Sequence, residues 1–188
     1  MRSAGAPPPP PEPARSARGR DAIEAAWRIV EEDGVEAITM RRLADDLGIR
    51  APSLYKHFPD KSALEAALIA RALREMGLAL HAAIRSRAGS GPNRATALLR
   101  AYRREATAHP NVYRLATSGP LPRDALPHGL EAWAGQPFFL VTGDERRAQA
   151  LWSFAHGMAI LEIDDRFPPG SNLDRTWRAG ADAFVDAG

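Results

Sequence analysis

The chain has 188 residues, a formal net charge of +2 and no cysteine, which leaves room for one medium domain or a small head on a larger body and excludes disulfide scaffolds, thiolate zinc sites and cysteine nucleophiles. No run of about 18 uncharged apolar residues occurs, and the N-terminus is rich in Pro and Arg where a secretory signal carries an apolar core, so a soluble, cytoplasmic protein with no membrane partner is expected. The pI near 9.4 overstates any general attraction to nucleic acid; what counts is local placement, with Arg41, Arg42, Arg50, Lys56 and Lys61 set against Asp45, Asp46 and Asp60 between Thr39 and Lys61.

Residues 1–17 hold the proline run Pro7 to Pro11, then Pro13, with almost nothing large and apolar, and are expected to be a disordered tail. Arg15, Arg18 and Arg20 have two readings, solubilising tail charges or a basic arm for a minor groove. Beyond the tail, Ala, Leu, Arg and Glu recur at helical spacing and alternating β-branched runs are missing, so the expected fold is all-α. Ile23, Ala26, Trp27 and Val30 share one face of a first helix that ends near Asp33 and Gly34. Thr39 is a good N-cap for a short second helix with Met40, Leu43, Ala44 and Leu47 on one stripe, stopped by Gly48. Ile49 sits in the turn, and Pro52 suits the first turn of a third helix that runs through His57. Phe58 and Pro59 end it, and Asp60 caps a long fourth helix to about Arg87, after which Gly89, Gly91 and Pro92 break the chain. Further helices are expected at about 93–108, 110–117, 124–141, 144–165 and 172–186, the third of these short or kinked because prolines and glycines interrupt 117–143.

Two short helices joined by a Gly turn are what a helix-turn-helix requires. Leu43, Leu47, Ile49, Leu54 and Phe58 are placed to pack against Trp27 and Val30, which turns Thr39, Arg41, Arg42, Arg50, Ala51, Pro52, Ser53, Tyr55, Lys56 and His57 outward. Read from pattern alone, an ordinary helical hairpin with a solvated face is the favoured reading. The string from Ile38 to Lys61, ITMRRLADDLGIRAPSLYKHFPDK, closely resembles the DNA-binding signature of the tetracycline repressor family: Thr-x-Arg-x-Leu-Ala-x-x-Leu-Gly, then Pro-Ser-Leu-Tyr-x-His-Phe and the following Lys. The resemblance covers residues of about 20 to 66. It implies a three-helix DNA-binding head at 18–66 and a larger effector-binding and dimerisation bundle at 67–188. By position it makes Thr39 a cap that meets phosphate and Arg41 a base or phosphate contact, sets Ala51, Pro52 and Ser53 at the groove floor, Tyr55 and His57 against the backbone, and Lys61 on a phosphate. Lys56 fills a variable slot. Ala51 departs from relatives with a long polar side chain there, and Arg50 is the neighbour able to compensate.

The helix at 144–165 is apolar over nearly its whole circumference, so a partner subunit is expected to cover one side through Phe154, Ala155, Met158 and Ala159, joined by Trp177, Ala181 and Phe184 of the last helix. The segment LWSFAHGMAILE also resembles a Trp, His-Gly pattern of one branch of the family. Met76, Tyr102, Tyr113, Trp133, Phe138 and Trp152 are candidates for an effector pocket and equally for plain core. His156 is either a hydrogen-bonded structural histidine or a ligand contact. No Glu-x-x-His pair, Walker loop, Gly-x-Ser-x-Gly elbow or His-Glu-x-x-His occurs, so no catalytic residue, metal or cofactor is expected. The expected function is a homodimeric repressor on a palindromic operator of double-stranded DNA, released by a small molecule of unknown identity; the alternatives are a helical protein-binding adaptor without DNA binding and, behind it, a helical-bundle enzyme.

Overall fold

The computed structural model describes residues 7–85 and 91–184, and among them nine α-helices and two 3-10 turns make up all the regular structure. The helices are α1 (Ala17–Asp33), α2 (Met40–Asp46), α3 (Ala51–Tyr55), α4 (Lys61–Arg85), α5 (Gly91–Ala108), α6 (Pro110–Thr117), α7 (Leu130–Thr142), α8 (Glu145–Ile163) and α9 (Leu173–Ala183). The expected all-α fold is the observed one.

The helix boundaries follow from local chemistry. Orphan N–H groups at helix starts are met by side-chain oxygens of Ser16, Thr39, Asp60, Asp144 and Asn172, each accepting from the backbone N–H three residues on at 2.7–3.1 Å. The helix expected at 124–141 is shorter: a 3-10 turn at Arg123–Ala125 precedes Gly129 at φ +76°, and α7 starts only at Leu130, with Pro137 inside it. Gly91, expected to break the chain, begins α5. The expected ends of the fourth helix at Arg87 and of the last at 186, together with Gly89, lie outside the described residues.

The chain divides into two compact units. The head comprises Pro10–Arg74 and His109–Leu130, so it is larger than 18–66: it takes the first half of α4 and all of α6. Its core joins Trp27, Val30, Ile38, Leu43, Leu54, Phe58, Leu64 and Leu68 with Val112 of α6. Helix α6 is fastened to α1 by Glu31, whose carboxylate accepts from the Val112 N–H at 2.8 Å while its backbone carbonyl accepts from Asn111 Nδ2 at 3.0 Å. His109 meets the Trp27 ring edge-on at 5.4 Å.

From Pro7 on, the proline segment expected as a disordered tail makes contacts with the rest of the chain. Within the head, Arg74 donates to the Pro10 carbonyl at 2.5 Å and pairs with Glu12 at 2.9 Å. Ser16 caps α1, which puts Arg18 and Arg20 on its first turn, and Arg15 lies 5.2 Å over the Phe58 ring.

The body comprises residues 7–9, 75–108 and those from Glu131 on. In it α5, α8 and α9 pack together around Leu98, Tyr102, Leu151, Ala155, Ala159, Trp177 and Ala181, and Tyr102 meets Phe138 edge-on at 5.8 Å. Trp133 lies flat against α4: a Cβ at Gly77 would come within 2.4 Å of the indole, so that turn tolerates only glycine. His81 stacks on the same indole at 4.9 Å, its Nε2–H donates to the Trp133 carbonyl at 3.0 Å, and the Trp133 Nε1–H donates to the Pro7 carbonyl at 3.0 Å.

His81 is only 1% exposed, and burial holds its pKa below the ordinary 6.5 against the opposing effect of the Trp133 hydrogen bond. The folded body therefore favours its neutral form. This contribution to stability is complete above the unfolded value and is lost as pH falls below it, because the unfolded chain then takes a proton that the folded chain refuses. His156, also lowered by burial, acts in the same direction. The thermal unfolding midpoint should fall between about pH 7.5 and about pH 5.5, and the non-titrating His81→Gln variant should show a smaller fall; circular dichroism at both pH values checks this.

Candidate DNA-binding site

Helix α3 has five residues and cannot hold itself together by its own hydrogen bonds. Its direction is imposed by the turn before it and the core beneath it. At the turn, Gly48 takes φ +63°, a conformation that costs glycine little, and this lets the Gly48 N–H reach Asp45 O at 3.1 Å and the Ile49 N–H reach Ala44 O at 2.9 Å. Beneath it, Leu54 and Phe58 are fully buried with Leu43 of α2.

With Leu54 pointing inward, Pro52, Tyr55 and Lys56 are exposed, and Ala51, Ser53 and His57 are half-buried. Arg50 precedes α3 with no side-chain cap, and the Ser53 N–H donates to its carbonyl at 2.8 Å. The Thr39 hydroxyl accepts from the Arg42 N–H at 3.0 Å, which leaves its own hydrogen to donate outward. Tyr55 is 50% exposed, a large ring half open to solvent.

The cations on this face are in different states. Arg41, Arg50 and Lys56 make no ion pair among the described residues. Lys61 lies 3.4 Å from Glu65 one turn along α4, a partly exposed pair of small energy. Arg42, expected among the outward-facing cations, is exposed and ion-paired to Asp33 of α1. His57 Nδ1 stands 3.4 Å from the Ser16 hydroxyl. Among the described residues no group of three or more side chains is arranged to hold a metal ion, and no helix is long and apolar enough to cross a membrane.

This arrangement, two short helices crossing over a shared core with the second one's outer face unpaired and cationic, has counterparts in known proteins. Residues 22–68 match the family model described as "Bacterial regulatory proteins, tetR family", and residues 95–184 match the model described as "Tetracyclin repressor-like, C-terminal domain". A relative from Mycobacterium tuberculosis, the uncharacterized HTH-type transcriptional regulator Rv0681, is 30% identical over 153 residues, 75% of this chain and 68% of that protein. The chain belongs to the TetR family. It is accordingly a transcriptional regulator with a DNA-binding helix-turn-helix, and the family is not one of enzymes. An HTH-type regulator of Staphylococcus aureus (strain USA300) is 51% identical over 41 residues, 22% of each chain. Two solved structures share the fold: a Rhodococcus sp. RHA1 protein of unknown function (TM-score 0.77, 22% identity, 90% of this chain and 94% of that one) and a TetR variant from Acinetobacter baumannii AYE in complex with minocycline (TM-score 0.63, 21% identity, 88% and 92%).

The residues expected to form a dimer face and an effector pocket fall differently. Ala155, Met158, Ala159, Trp177 and Ala181 are buried within the single chain, and Phe154 packs on Trp177 at 5.9 Å and on Phe184 at 6.0 Å. Their burial needs no partner, because α5 and α9 cover that side of α8. The side of α8 away from α5 and α9 carries Trp152, 48% exposed and stacked on His156 at 6.2 Å, and the half-buried Ile160, while the exposed Leu161 lies half a turn round the helix from Trp152. Trp152 is thus a surface residue of the body, not part of its interior. Of the other pocket candidates, Tyr102, Trp133 and Phe138 are buried in the body, Met76 is half-buried on α4, and Tyr113 is buried in the head. Sequence reasoning missed the Glu31 clasp on α6, since nothing local marks a glutamate that caps a helix about 80 residues away.

Because the core beneath α3 sets its direction, Leu54→Ala should destabilise the head by about 2–5 kcal/mol. Urea unfolding followed by Trp27 fluorescence measures this.

Proposed function

We propose that this regulator is a homodimeric, sequence-specific repressor that leaves a palindromic operator when a small molecule binds its body. The observation that carries the reading is the outer surface of α2 and α3, where Arg41, Arg50 and Lys56 are unpaired around the exposed Pro52 and Tyr55. On this reading α3 enters the major groove, with Ala51, Pro52 and Ser53 close to base edges and Arg50 supplying the long reach that Ala51 lacks. Thr39, Tyr55, Lys56, His57 and Lys61 hold phosphates, Lys61 by exchanging its weak pair with Glu65; Arg41 serves a base or a phosphate.

A dimer is supported by the outer side of α8, since the solvent-exposed Trp152 with the half-buried Ile160 about two turns along is apolar surface of the kind that a second copy covers. A Cβ at Gly157 would meet nothing of this chain, which leaves room for a partner backbone. Two heads related by a two-fold axis demand a two-fold site, with half-sites about 34–36 Å apart.

Release by an effector is supported by the course of the chain. Helix α4 runs from the head into the body without a break, and α5 of the body passes through the single residue His109 into α6, which Glu31 fastens to α1. An effector inserted beside Tyr102, Trp133 and Phe138 would shift α4 or α5, and either shift reaches the head through covalent structure.

Operator selected from a random DNA pool and followed by fluorescence anisotropy tests the DNA surface. Lys56→Ala should weaken binding and reduce the slope of log affinity against log salt by about one, and unchanged slopes for both Lys56→Ala and Arg41→Ala would move the DNA surface elsewhere. Trp152→Glu should convert the wild-type dimer into a monomer of 20.4 kDa by light scattering while keeping its helical circular dichroism. A monomeric wild type would overturn both the dimer and the palindrome.

A further inference from the structure

A groove of about 660 Å³ runs between α5 and α9 of the body, away from every residue assigned so far to DNA, effector or dimer except the floor residue Trp177. Its rim carries Arg100 and Arg103 from α5 and Arg175 and Arg178 from α9, against one carboxylate, Asp174. A second groove of about 370 Å³ shares Thr96, Arg100 and Arg178 with the first and adds Arg104.

One of these arginines is already spent. Arg103 forks onto Glu162 at 2.7–3.0 Å and reaches Asp174 at 2.5 Å, while the Trp177 Nε1–H donates to the same Glu162 at 3.1 Å. This network fixes α5 to α8 and α9 and also consumes the carboxylates that would otherwise neutralise the rim. Arg104 pairs with its neighbour Glu105 at 2.8 Å. Arg100, Arg175 and Arg178 have no ion pair among the described residues, and neither does Asp182, one turn beyond Arg178.

Stability does not explain the cluster. Arg175 and Arg178 stand three apart on one helix, where like charges repel, and Arg175 lies in the first turn of α9, where the helix dipole disfavours a cation. The same two features favour an anion placed between them, because guanidinium forks match the paired oxygens of phosphate and carboxylate and a concave wall of one sign concentrates the field. The volume lies within the range of small-molecule sites.

We propose that the α5–α9 groove binds a compact polyanion of small-molecule size, with at least two phosphate or carboxylate groups held by Arg100, Arg175 and Arg178. The site stands independently of the DNA-binding reading. Two sources supply this chemistry, a diphosphate such as a nucleotide and a polycarboxylate, and separate titrations distinguish them.

Calorimetric titration of the full chain with pyrophosphate, ADP and citrate, at about 0.15 M salt to screen diffuse attraction, is the test. At least one of the three should bind saturably, and the Arg100→Gln/Arg178→Gln double variant should bind it about tenfold or more weakly with unchanged circular dichroism. Arg41→Ala, on the head, should bind as wild type. If the double variant does not fold, the two single variants carry the same comparison. No saturable binding of any of the three, equal binding by the folded arginine variants, or loss of binding in Arg41→Ala would each overturn the proposal.

Discussion

The burial of Leu54 and Phe58 against Leu43, Val30 and Trp27 is what the DNA-binding surface depends on. A five-residue helix is far below the length that sustains itself in water, so α3 exists only where these side chains meet the core. Each such side chain contributes about 1.5–3 kcal/mol when removed from water. Because Leu54 and Phe58, four residues apart, are committed inward, the outward positions are determined too: once Leu54 faces the core, Pro52, Tyr55 and Lys56 cannot.

The same core reaches beyond the three helices of the motif. Val112 belongs to it, and Glu31 satisfies one of the orphan N–H groups at the start of α6. Through this clasp a helix more than fifty residues downstream of the motif becomes part of the head. The chain passes from head to body along the continuous α4 and returns through the single residue His109 between α5 and α6. This covalent continuity is the basis for proposing that an effector bound in the body is felt at α3.

Charge on the molecule is sorted in the same selective way. Arg42, Arg71, Arg74 and Arg103 are tied to carboxylates and work as struts, while Arg41, Arg50 and Lys56 on the head and Arg100, Arg175 and Arg178 on the body are left without partners among the described residues. With a net charge of only +2, overall attraction to polyanions is slight. Any affinity must come from these local groups, where geometry holds several cations on one face.

The head was legible in the sequence because its signals are local. Thr39, Gly48, Pro52 and Asp60 mark helix starts and stops within a few residues, and the spacing of Leu43, Leu54 and Phe58 fixes which sides face inward; together they determined the helix-turn-helix and its outer face. The proline segment misled because its composition lacks core-forming side chains, whereas its carbonyls are acceptors that Arg74 and Trp133 use. Helix α8 misled because a helix apolar all round carries no periodic signal of which side its own chain will cover; only the packing of α5 and α9 decided that Ala155 and Ala159 are interior and Trp152 is surface. The Glu31 clasp and the α5–α9 groove likewise join residues far apart in sequence. Capping and amphipathic spacing act over one or two helical turns and can be read along the chain, whereas which faces are buried and which cations stay unpaired depends on what folding brings alongside them.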